Sequence, residues 1–169
     1  MKIAVAGGVG AGKSTEAAVL SRESGIPVYA GDEIAHGYAS EDVSTENGRF
    51  RRTPEEEREL VEAILSEPDW IWEGVHRETQ ERFYAEADVI LLLDFPFPVR
   101  AGRIVRRLLL SALGIRRLPY PTTLSEQLRW TKTYSSETEI PAEYRTKVLP
   151  IRTNRDLQRA RKEILENRK

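Results

Sequence analysis

The sequence predicts a three-layer α/β/α domain built on one parallel sheet and opened by a phosphate-binding loop. Three observations carry this. Ile3, Ala4, Val5 and Ala6 form a short apolar run, Gly7-Gly8-Val9-Gly10-Ala11-Gly12-Lys13-Ser14 matches G-x-x-x-x-G-K-[ST] in full, and the helix-forming residues Glu16-Ala17-Ala18-Val19-Leu20 follow. Apolar runs of strand length then alternate with helical stretches along the rest of the chain, as in right-handed βαβ units with helices on both faces. Finally, Gly7, Asp32, Glu73, Asp94 and Arg152 each fall at the carboxyl end of an expected strand, where ligands of such sheets collect.

Composition bounds the rest. The chain has 169 residues and 19.3 kDa, so one domain over 1–169 is expected, large enough for a core. The net charge of −1 argues against a global field for nucleic acid. The basic residues are mostly Arg, the better fork for phosphate. No cysteine is present, which excludes disulfides, thiolate metal sites and a thiol nucleophile. No run approaches the roughly 18 apolar residues of a membrane span, and the first segment reads as a strand rather than a signal peptide, so a cytoplasmic location is expected.

In chain order, the first strand and the glycine loop lead into a helix that Ser24-Gly25 ends. Ile26 to Ala30 reads as the second strand, with Pro27 tolerated at its beginning. Gly31-Asp32-Glu33-Ile34 turns into a short helix, and the polar stretch 40–53, which contains Asn47-Gly48, reads as a mobile surface excursion. Thr53-Pro54-Glu55-Glu56 is a strong helix start: Thr as cap, Pro in the first turn, acids near the positive end. Leu60, Val61, Ile64 and Leu65 give that helix its apolar face before Pro68. Trp70-Ile71-Trp72 is the third strand, 76–86 a helix, and Val89 to Leu93 the fourth and most apolar strand. Pro96 and Pro98 precede a basic helix over 99–113, and 114–121 is a turn-rich joint. Thr122 or Thr123 caps another helix, 148–151 is a fifth strand, and a last helix covers 154–167.

The loop's chemistry follows from its residue types. Glycines let several backbone N–H groups converge on one phosphate chain, and the helix that follows adds its positive end. Gly7 to Thr15 are therefore the expected nucleotide cradle: Lys13 reaches the β- and γ-phosphates, and the Ser14 hydroxyl is a ligand for Mg²⁺.

The ordered set of motifs resembles the adenylate-kinase-like small P-loop kinases. It comprises the loop, Gly31-Asp32, Trp72-Glu73-Gly74, and Leu93-Asp94-Phe95-Pro96 followed by Arg103 and Arg107. Its closest branch is the topology-modulation protein family, which Trp70-Ile71-Trp72-Glu73-Gly74, Ala87-Asp88 to Asp94-Phe95-Pro96, and Arg103 to Arg107 resemble over about residues 1–110. The resemblance implies a five-stranded parallel sheet of order 2-3-1-4-5, an acceptor-side arm over about 32–66, a helical lid with arginines over about 98–122, and phosphoryl transfer from ATP with Mg²⁺. The chain departs from it in two places. Glu73-Gly74-Val75-His76-Arg77 stands where nucleoside monophosphate kinases carry Asp-Gly-Phe-Pro-Arg, and the 40–53 arm is unlike theirs.

The remaining candidates follow from position and chemistry. Glu73 is the strand-end acid able to hold Mg²⁺, with Asp94 either a second acid of that kind or a plain strand end. Asp32 either orients an acceptor hydroxyl or caps the next helix. Arg103 and Arg107, four apart on one helix face with Arg100 and Arg106 nearby, suit the charge that spreads over a moving phosphoryl group. Arg116 and Arg117 rank lower as lid residues. Arg77 aligns with an acceptor-binding arginine, and Arg152 to Arg155 border the expected adenine site. Asn154-Arg155-Asp156 lacks the lysine and spacing of a guanine reader. Arg49, Arg51 and Arg52 are either phosphate holders or a solvated arm. His76 is a minor substrate-contact candidate, and Trp70, Trp72 and Trp130 read as packing residues. The expected activity is an ATP-dependent phosphotransferase acting on a nucleotide or a small hydroxyl compound. The rivals are a regulatory ATPase acting on a protein or DNA partner, for which Gln80 and Gln127 are the glutamines to inspect, and a nucleic-acid-binding module using the arginines of 100–117.

Overall fold

The computed structural model describes residues 1–38, 49–115, 123–133 and 140–167. Its centre is β1 (Lys2–Gly7), flanked in parallel by β5 (Trp70–Gly74) and β6 (Val89–Leu93). β2 (Val28–Ala30) adds outside β5, and β7 (Val148–Ile151) outside β6, giving the order β2-β5-β1-β6-β7. Numbered among themselves, these five strands run 2-3-1-4-5, as the resemblance implies. A two-residue alternation divides their side chains between two cores. Ala4, Ala6, Trp70, Trp72, Ile90 and Leu92 face one side, where α2 (Gly31–Ala35), α3 (Pro54–Leu65) and α4 (Arg82–Glu86) bury Ile34, Val61, Ile64, Phe83 and Tyr84. Ile3, Val5, Ile71, Leu91 and Leu93 face the other, against Ala17 and Leu20 of α1 (Lys13–Ser24) and Ala160 and Ile164 of α7 (Asn154–Glu166). Trp70 and Trp72 are wholly buried and sandwich Phe83, edge-on and stacked, each at 5.2 Å between centroids. They are core, as expected; the Trp130 side chain lies outside the described residues.

The cap read at Thr53 forms. Thr53 accepts from the Glu56 amide while Glu56 accepts from the Thr53 amide, and Pro54 opens α3. Thr153 and Asp156 form another such box at the start of α7, which was not among the expected caps.

Two expectations are corrected. The arm expected to be mobile over 40–53 ends in ordered structure: β4 (Arg49–Arg51) pairs antiparallel with β3 (His36–Tyr38), while 39–48 lie outside the described residues. The Arg52 guanidinium fixes this turn by donating to the carbonyls of Glu33, Ile34 and His36. The helix expected over 76–86 is instead an extended stretch, a 3₁₀ turn at Glu78–Gln80, and then α4. Arg77 is extended, with φ −140° and ψ 137°, and its side chain is tied across to α2, which keeps the helix from beginning earlier.

The basic helix α5 (Phe97–Ala112) packs against α6 (Leu124–Thr133). The joint between them, with Arg116 and Arg117, lies mostly outside the described residues. Among the described residues, no helix is long and apolar enough to cross a membrane.

Candidate active site

A cleft of about 670 Å³ opens at the carboxyl ends of the central strands. One side of it is the glycine loop. Gly10 (φ 77°) and Gly12 (φ 100°) take left-handed backbone conformations that a side chain would strain, and a Cβ on Gly10 would lie 2.8 Å from the Arg100 carbonyl. Gly12 caps α1 with no side-chain acceptor, so the first-turn amides have no capping oxygen and are suited to an anion. Lys13 Nζ donates to the carbonyls of Gly7 at 2.7 Å and Gly8 at 3.2 Å, which holds it against the loop.

Below the loop, the Ser14 hydroxyl donates to Glu73 Oε1 at 2.9 Å. β5 delivers Glu73 beside β1, in register with Val5. Burial pushes the Glu73 carboxyl up; Lys13 and the Ser14 hydrogen bond pull it back in part, while Asp32 and Glu33 push it further up. The donor set here is a hydroxyl and a carboxylate, hard oxygen ligands that fit a magnesium ion keeping its other positions for water and phosphate. Among the described residues no group of three or more His, Cys, Asp or Glu is arranged as an all-protein metal cage.

α5 supplies the roof. Arg103 Nη1 donates to the Ala11 carbonyl at 2.5 Å, and its guanidinium lies 4.1 Å from the Phe95 ring centroid. Burial lowers the Arg103 pKa. Arg106 and Arg107 also line the cleft, and Arg107 donates to the side chain of Gln127 on α6. Arg100 does not line it: that guanidinium is buried and donates to the Thr131 carbonyl at 3.2 Å.

The opposite wall carries Asp32, Val75, His76 and Arg77. Ala30, not Asp32, is the cap position of α2, and Asp32 sits in the first turn without capping it, so the capping alternative falls. Arg77 reaches back 45 residues to Asp32, Nη2 to Oδ1 at 2.7 Å, and gives Nη1 to the Gly31 carbonyl at 3.0 Å. Gln80, wholly buried, completes this support: it donates to the same Gly31 carbonyl, accepts from Trp72 Nε1, and lies against the buried Glu57. His76 stacks on Tyr84 with centroids 6.1 Å apart.

The five strand-end residues do not all converge. Gly7 belongs to the loop, and Glu73 and Asp32 line the cleft. Asp94 and Arg152 pair with each other, Nε to Oδ2 at 3.2 Å, and neither lines it. Arg155 is absent from the lining as well; α7 instead presents Leu157. Asp156 is spent on the helix cap, where hydrogen bonds from Thr153 and the Arg152 amide hold its carboxyl below the usual range. On the arm, neither Arg51 nor Arg52 lines the cleft, and the Arg49 side chain lies outside the described residues.

Sequence reasoning missed Phe95 as the seat of Arg103, Gln127 as the partner of Arg107, and the buried Glu16–Arg161 pair that ties α1 to α7 at 2.6 Å. Phe95 had a signal, since it adjoins Asp94 and Pro96 within a quoted motif. The glutamine had none, because its partner is 20 residues away on another helix.

No protein-family model matches the chain, and no curated protein matches it. Solved structures do. A gluconokinase from Sinorhizobium meliloti 1021 is similar with a TM-score of 0.56 at 16% identity, over 98% of this chain and 94% of that one. A shikimate kinase from Bacteroides thetaiotaomicron gives 0.55 at 12% identity, over 99% and 97%. TT1252 from Thermus thermophilus gives 0.54 at 23%, again over 99% and 97%. At such identities the likeness is one of fold, and the fold is that of the small P-loop kinases.

Proposed function

We propose that the chain transfers the γ-phosphoryl group of ATP to a small acceptor held against Asp32 and Arg77. The observation that carries this is convergence: the loop with Lys13, the Ser14–Glu73 pair, the arginines of α5 and the Asp32–Arg77 pair all line one cleft. Within the small-kinase fold we place the chain nearest the topology-modulation branch, on the motifs between Trp70 and Arg107.

The loop amides and Lys13 bind the triphosphate. Ser14 and Glu73 would hold Mg²⁺, which neutralises charge on the β- and γ-oxygens when bound. Arg103 and Arg107 offer forked donors to the oxygens of the moving phosphoryl group, from the cleft's roof. Asp32 accepts the acceptor's proton, and Arg77 holds that carboxylate in place. Leu157 of α7, rather than Arg152, lines the cleft and would face the base.

The regulatory ATPase reading lacks its water-positioning glutamine: Gln80 and Gln127 are both buried and bonded elsewhere, outside the cleft lining. Arg100, Arg103 and Arg107 of α5 bond to groups of the chain itself, which speaks against a patch for nucleic acid. The deciding experiment is ATP consumption with Mg²⁺, with and without nucleotides and small alcohols. Acceptor-stimulated ADP formation with a phosphorylated product is expected; acceptor-independent hydrolysis that needs a protein or DNA partner would overturn the reading.

A further inference from the structure

Arg107 lines the cleft from α5, on a stem long enough to aim its guanidinium in several directions. One group that fixes its direction lies outside the cleft. Arg107 Nη2 donates to Oε1 of Gln127 on α6, and Gln127, only 2% exposed, does not line the cleft. A second bond joins the same two helices: buried Arg100 donates to the carbonyl of buried Thr131 at 3.2 Å. Arg100 and Arg107 lie about two helical turns apart on α5, and of the two only Arg107 lines the cleft. The Arg100 bond fastens α6 to α5, whereas the Gln127 bond acts on a group that a ligand in the cleft can touch.

The chemistry of the holding group matters. Gln127 offers a carboxamide oxygen, which orients a guanidinium without cancelling its charge. The neighbouring cations of the cleft are bonded to neutral oxygens as well, Arg103 to the Ala11 carbonyl and Lys13 to those of Gly7 and Gly8. Arginines elsewhere meet carboxylates: Arg77 meets Asp32, Arg152 meets Asp94 and Arg161 meets Glu16.

From this we infer that Gln127 is a positioning residue for the γ-phosphate: through a neutral hydrogen bond it presets Arg107, which meets the phosphate already oriented. The inference rests on the kinase reading above and adds to that site a residue no ligand touches. An arginine loose on its stem loses rotamer freedom each time a triphosphate binds, and one held beforehand loses less. A carboxylate in the place of the carboxamide would hold Arg107 more strongly, but it would compete with the phosphate for the same charge. A carboxamide gives the orientation without the competition. Were Gln127 only a tie between the helices, as Thr131 is for Arg100, changing it would alter stability and leave the recognition of the γ-phosphate as it was.

Calorimetry tests this with Mg²⁺ and two probes, ADP and a non-hydrolysable ATP analogue. The ratio of their affinities reads the γ-phosphate alone and needs no acceptor. Gln127→Leu removes the oxygen that holds Arg107, while Gln127→Glu keeps an oxygen there and adds a negative charge. Each is expected to weaken the analogue about tenfold relative to ADP, with ADP affinity within about twofold of the wild type. In an Arg107→Ala background neither change should move the ratio further, because Gln127 acts through that arginine. An unchanged ratio in either single variant overturns the inference. So does an effect that persists without Arg107, and so does equal loss of both nucleotides, which would make Gln127 a support of the fold. Each of these results leaves the kinase reading standing, whereas wild-type protein that binds neither nucleotide overturns both.

Discussion

The two sides of the cleft, proposed to take donor and acceptor, are built by different means. The donor cradle is nine consecutive residues whose backbone supplies the binding groups, with Lys13 held by carbonyls five and six residues back. The acceptor wall has no such segment. It is assembled from side chains 45 to 49 residues apart, Arg77 and Gln80 reaching back to Asp32 and Gly31, over a floor of buried Glu57 and Trp72. One side is cationic and local, the other mixed in charge and distributed. Backbone amides bind any triphosphate tail in much the same way, whereas a wall of side chains can change its ligand without changing the fold.

Six substitutions break or sharpen that contrast. The largest effect is expected from Lys13→Ala, which removes the cation on the triphosphate; acceptor-dependent ADP formation should fall to background in a coupled assay. Asp32→Asn should lower kcat by roughly 10²–10⁴-fold while leaving ATP affinity intact, so that calorimetry with the ATP analogue separates the two sides; loss of ATP binding would mean they are not independent. Arg103→Ala should cost about 100-fold in kcat, and a near-wild-type rate would remove the roof from the mechanism. Gln80→Leu leaves Trp72 Nε1 without its acceptor inside the core and should destabilise the chain by about 1–3 kcal/mol in denaturant titration.

The smallest effect compares the two capping boxes. Thr53→Ala on the acceptor side and Thr153→Ala on the donor side should each cost about 1 kcal/mol. The Thr153 cost carries a pH signature. Hydrogen bonds from Thr153 and the Arg152 amide lower the Asp156 pKa, so the stability they give is present above the ordinary carboxylate value of about 4 and fades as pH falls through the lower folded value. The gap in melting temperature between wild type and Thr153→Ala should therefore narrow in acid.

Where the chain's signals are short-range, residue order alone was enough. The apolar run before the glycines, the loop motif, the Thr53 cap, the β7 limits and the two tryptophans of β5 all follow from neighbours within a few residues, because strand alternation, caps and backbone cradles are decided by local geometry. The sheet order came with the resemblance, carried by motifs spaced over about 110 residues. What needed the folded chain was partnership. Asp94 and Arg152 each ended a strand, yet they chose one another instead of the cleft. Arg52 turned to carbonyls rather than to a phosphate, Arg77 held its segment extended where a helix was expected, and Arg107 found Gln127 on α6. A guanidinium on a long stem can satisfy any of several acceptors within reach, and only the packing of α2 on β5, and of α6 on α5, determines which acceptor that is.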